Sequence, residues 1–142
     1  MSAHTSVILA LHARFEAASD ECNALDRGTL RAARPTAERL EQLRAAISDS
    51  INEQDALRLA ILMQVPNTTA EAAVLTFHIS VARDAEETAT DREREALTLA
   101  IDTLFDFMAC EAAGAVQGKD FTTLAERVRE RRRFRTGELE AA

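Results

Sequence analysis

Val65-Pro66-Asn67-Thr68-Thr69-Ala70-Glu71 lies near the middle of a 142-residue chain that elsewhere reads almost throughout as helix. Pro66 cannot continue a helix, because it lacks the amide hydrogen and its ring clashes with the preceding turn. It also pushes Val65 away from helical dihedrals. Thr68 and Glu71 have the spacing of a capping box, in which the hydroxyl accepts from the third helical amide and the carboxylate reaches back to the cap amide. One helix therefore stops here, another starts, and the chain turns.

Outward from this joint toward the N-terminus, Leu40, Leu43, Ile47, Leu57, Ile61 and Val65 recur at helical spacing, with Ser50 and Gln54 as polar members of the same line. Ser50 with Glu53 offers a second capping box and hence a break near Ser48-Asp49-Ser50. The absence of Gly and Pro favours one continuous helix over 36–64, with Pro35 near its first turn, where a missing amide is harmless. Before it, Ile8, Leu11, Phe15, Ala18, Cys22 and Leu25 alternate three and four residues apart, a heptad seam on a helix from about Thr5 to Leu25. Asp26-Arg27-Gly28 is the expected stop.

Outward in the other direction, Ala70, Ala73, Val74, Leu75, Phe77, Ile79, Val81 and Ala82 cover most of a helix circumference. The spacing predicts a helix from Thr68 or Thr69 to about Glu87, buried on more than one side. Thr90 and Glu93 form the next capping box, and Asp91 suits the first-turn dipole. The helix that follows runs to Ala113 with Leu97, Ile101, Leu104, Phe105 and Met108 on its main stripe, and Gly114 as its expected cap. A fifth helix is expected from Asp120, with Phe121, Leu124, Ala125 and Val128 as a short stripe.

These readings converge on an all-α fold, an antiparallel bundle of four to five helices with short turns. Its domain is expected to span 1–126, followed by an arginine-rich extension at 127–142. The predicted core comprises Ile8, Leu11, Phe15, Leu43, Ile47, Ile61, Val74, Phe77, Val81, Leu97, Ile101, Leu104 and Met108. Alternation of the strand type is missing throughout. Ala56-Leu57, Ile61-Leu62, the Pro66-Asn67-Thr68-Thr69 step and the Ala/Val/Leu-rich helix after it resemble a group of small uncharacterised helical proteins of alphaproteobacterial type. The resemblance covers about a third of the chain. It implies the helical architecture and carries no activity.

Composition bounds the function. A net charge of −7 argues against general binding of nucleic acid or anionic membrane by the whole domain. No apolar run has the length of a membrane span, and Val7 to Leu11 lacks the basic flank and cleavage site of a leader. Two cysteines make no disulfide framework, so the expected location is the cytoplasm.

The candidate sites are few. His78 falls within the apolar stripe of the third helix, where an imidazole either satisfies its nitrogens internally or lines a ligand pocket. A phosphotransfer histidine would be exposed, and this one points inward. A metal site lacks ligands: there is no Glu-x-x-His pair and no four-ligand Cys/His set. His12/Glu16 and Asp102/Asp106 share only the i, i+4 spacing of many solvated pairs. Cys22 reads as a small core residue. Leu99, Phe107 and Cys110 lie opposite the main stripe of the fourth helix, as scattered surface residues or as a second face for a partner. Gly114 to Asp120 is one residue too short for a phosphate loop, has Asp where Ser or Thr is needed, and follows a helix.

Arg127, Arg129, Arg131, Arg132, Arg133 and Arg135, with Glu130 among them, give +5 between 127 and 135 and leave −12 for the rest. This is a solvated helix end or a basic arm. Arg127, Arg131, Arg132 and Phe134 are then interface candidates, for an acidic protein surface ahead of nucleic acid. No catalytic constellation and no cofactor motif is present. The sequence is read as a non-enzymatic interaction or adaptor protein, partnered by itself or another protein. The alternatives are a small-ligand or sensory bundle around His78, and a nucleic-acid regulator acting through the arginine arm.

Overall fold

The computed structural model describes residues 5–31 and 35–115, together with Glu126 and Glu130. The described chain is all-α: α1 (Val7–Arg31), α2 (Ala37–Leu62), α3 (Thr69–Asp84), a 3-10 turn at Glu86–Thr88 and α4 (Asp91–Ala115). The expected fifth helix and the boundary at 126/127 lie outside the described residues. The chain divides into two compact units, Met1–Gln64 and Val65–Ala142. The division falls at the Pro66 joint.

Local chemistry explains where the helices begin. Ser6 accepts from the Leu9 amide at 3.2 Å and caps α1. Thr36 accepts from the Arg39 amide at 3.2 Å and caps α2, which places Pro35 just outside the helix. Thr68 accepts from the Glu71 amide at 3.2 Å. The Glu71 carboxylate accepts at 2.7 Å from the Asn67 amide, one residue before the amide expected from the sequence. It thereby satisfies a donor within the joint itself. At α4 the box is reciprocal: the Thr90 amide donates to Glu93 at 2.7 Å and the Glu93 amide to Thr90 at 3.2 Å. At the end of α2 the Gln64 side chain donates to the Ala60 carbonyl at 3.3 Å, taking up an acceptor that the helix end exposes.

The two glycine stops are not used. α1 continues through Gly28 to Arg31, and α4 continues through Gly114 to Ala115. A glycine interrupts a helix only where the chain enters the left-handed region, and inside a helix it costs only about 1 kcal/mol. At Gly28 nothing lies within 4 Å of where a Cβ would stand, so no close approach depends on it either.

The first unit is an antiparallel helical hairpin. Ile8, Phe15 and Ala18 of the α1 seam are buried, with Leu11, Cys22 and Leu25 half-buried beside them. On α2, Leu43, Ser50 and Leu57 are buried one heptad apart, and Ile61 is fully buried. α2 is continuous, and Ser50 does not cap a helix. Its hydroxyl donates across the hairpin to the Ala18 carbonyl at 2.7 Å. Arg14 and Glu53 form an exposed bridge at 3.5 Å close to the same level.

In the second unit α3 and α4 pack on each other across residues 85–90. α3 buries one face, Glu71, Ala72, Leu75, His78 and Ile79, rather than several. Phe77, expected in the core, stands 47% exposed on the other side, and Val74 and Val81 are half-buried. α4 buries Ala96, Leu97, Ala100 and Thr103. Phe105 and Met108, expected on its buried stripe, are 58% and 54% exposed, while Ile101 and Leu104 are half-buried. The small residues Ala96, Ala100 and Thr103 admit a close neighbour at high packing density, Leu97 joins them, and Phe105 and Met108 of the larger stripe are left outside.

Candidate functional site

Three places in the described residues are candidates for a site. The first is His78. Its side chain is fully buried, and the Phe77 ring meets it edge-on at 5.0 Å between centroids. It stands on the buried face of α3 with Leu75 and Ile79. The fully buried polar residue of α4 is Thr103, whose hydroxyl donates to the Ala100 carbonyl of its own helix at 3.1 Å. Burial of His78 agrees with its place on the helical wheel.

The second is Arg58, which the sequence reading did not single out. Its guanidinium lies 5.0 Å from the centroid of the buried Phe15 ring and bridges Asp55 at 3.4 Å. Burial lowers its pKa and the Asp55 carboxylate opposes that shift. An arginine never titrates in the range where proteins fold, so the charge persists. The signal that would have found it is positional: Arg58 flanks the seam residue Leu57, where a long cation lays its stem over the apolar seam. The contact ties the two helices of the hairpin through a cation–π interaction and leaves no group aimed at a substrate.

The third is the surface of α4. Ala96, Ala100 and Thr103 form the buried line, and the half-buried Phe107 and Cys110 continue its spacing. Leu99, at its edge, is 38% exposed. Phe107 and Cys110 thus lie half-buried toward the inward side while Leu99 is exposed; of the stripe expected to be buried, Leu97 is buried, Ile101 and Leu104 are half-buried, and Phe105 and Met108 are exposed. Both stripes are apolar on the wheel, so amphipathicity alone did not decide which one the fold would take.

His12 and Glu16 bridge each other at 3.2 Å on the surface of α1, with His12 stacked on Phe15 at 6.2 Å. Among the described residues no group of three or more His, Cys, Asp or Glu is placed to hold a metal ion. None of the described helices is long and apolar enough to cross a membrane. Arg127, Arg131, Arg132 and Phe134 lie outside the described residues. No family model, curated protein or solved structure matches this chain.

Proposed function

We propose that this protein is a non-enzymatic helical interaction module that associates with itself. The observation that carries the reading is the outward stripe of α4, where Phe105 is 58% and Met108 54% exposed beside half-buried Ile101 and Leu104. Isolated exposed apolar residues are ordinary, whereas a line of large ones along one helix face is the usual mark of a protein contact. The heptad seam of α1 lends no support, because α2 occupies it. The cytoplasm is the proposed location, on the ground that two cysteines in 142 residues make no disulfide framework.

Light scattering coupled to gel filtration at micromolar concentration tests the reading. The expected mass is a multiple of 15.6 kDa. A strict monomer across the concentration series overturns self-association.

A further inference from the structure

We infer that the outward face of α4 pairs with the same face of a second copy, antiparallel, about a two-fold axis level with residue 103. The inference rests on the self-association reading and adds the surface, the partner and the polarity. On this face Arg94, Thr98, Ile101, Phe105 and Met108 follow one another at alternating intervals of four and three, the spacing of a helix-pairing seam. From Thr98 to Met108 the intervals, three, four and three, read the same in both directions. Antiparallel pairing about the centre sets Ile101 against Phe105 of the second copy and Thr98 against its Met108. Each contact is made twice, as an isologous two-fold interface requires. At a rise of about 1.5 Å per residue, Arg94 to Glu111 spans about 26 Å of helix.

Charge selects the polarity. Arg94 and the exposed Glu111 lie at nearly equal distances on either side of the centre, so antiparallel pairing brings each Arg94 level with the other copy's Glu111. The Arg94 side chain is half exposed, and its bridge to Asp91 is long, at 3.6 Å, to a carboxylate almost wholly in solvent. It is thus accessible to a second acid. Parallel pairing would instead set Arg94 against Arg94 within the seam, a like-charge penalty. Antiparallel pairing also brings Asp102 of both copies to one edge of the seam beside the axis, a like-charge cost set against the two Arg94–Glu111 pairings.

The test uses the full-length chain. Wild type and F105E/M108E are compared by light scattering and sedimentation, with circular dichroism as a control on helicity. The expected result is a dimer whose dissociation constant rises more than about tenfold in the variant, corresponding to about 1.4 kcal/mol. R94E is expected to weaken the dimer about 2- to 5-fold, the range of exposed ion pairs, and R94E/E111R to restore it. In a C22A/C110A background, T98C and M108C proteins should form a disulfide-linked dimer when mixed and oxidised, and neither should do so alone. If wild type is monomeric, both this inference and the proposed function fall. If it is a dimer that survives F105E/M108E, or one that cross-links through T98C alone, the α4 pairing is wrong while self-association stands.

Discussion

The α1–α2 hairpin and the α3–α4 unit solve the same packing problem with opposite materials. In the hairpin the large side chains are inside: Ile8, Phe15, Leu43, Leu57 and Ile61 are buried on heptad-spaced lines. The buried polar residue of that seam, Ser50, spends its hydroxyl on the neighbouring helix. In the α3–α4 unit much of the buried surface is small, with Ala72, Ala96 and Ala100 beside Leu75 and His78. Its buried hydroxyl, on Thr103, turns back to its own helix, and Phe77, Phe105 and Met108 remain outside. A seam of large residues thus identifies itself in a sequence. A face of small residues does not, because its worth lies in how closely two backbones approach rather than in the area each side chain removes from water.

The contrast can be broken or sharpened by mutation, and the largest effect should come from what the two units share. Ile61 in the first and Leu75 in the second are both fully buried. Ile61→Ala and Leu75→Ala should each cost about 3 kcal/mol, from lost transfer energy and the cavity left behind. Urea unfolding checks this, and a loss under about 1 kcal/mol at Leu75 would show that the α3 face is not tightly packed. Next comes Ala100→Leu. If the close approach of small residues is right, this larger side chain should destabilise by about 2 kcal/mol, although it makes α4 more hydrophobic. A neutral result would mean that space remains beside α4.

Ser50→Ala should cost about 1 kcal/mol by removing the bond to the Ala18 carbonyl. Thr103→Ala, whose hydroxyl bonds only within its own helix, should cost less in the same denaturation assay. Smallest of all, Phe105→Gln should change the stability of the isolated subunit by no more than about 0.5 kcal/mol. A Phe105 buried on the main stripe would require several times that, so thermal melts at high dilution separate the two views.

How far the sequence could be read follows from the same contrast. The Pro66 joint, the caps at Thr68 and Thr90, and the α1 seam rest on rules of near-neighbour chemistry, and the structure has them. Continuity of α2 through Ser50 was also legible, since nothing there forbids a helix. The hydroxyl's cross-helix partner was not, because Ala18 is 32 residues away. Gly28 and Gly114 misled because glycine permits a stop without requiring one. On α4 two apolar stripes were visible and the larger was taken for the core, which holds at Leu97 but not at Met108. His78 was placed correctly on the buried side of α3, whereas the cation–π contact of Arg58 with Phe15 needs two helices in register and was invisible to one wheel.

The Ser50–Ala18 bond has a consequence for how the hairpin finds itself. Leu43, Ser50 and Leu57 repeat at one-heptad intervals, so α2 could slide along α1 by seven residues and still set a leucine at the level of Ala18. A slid alignment would set a leucine where the serine stands, crowd it against Ala18, and leave the hydroxyl away from its acceptor. An unmatched buried polar group costs about 1 to 3 kcal/mol, enough to keep slipped forms about 5- to 150-fold rarer. One hydroxyl thus acts as an index mark on an otherwise repeating ruler, and its removal should show first as slower or more heterogeneous refolding.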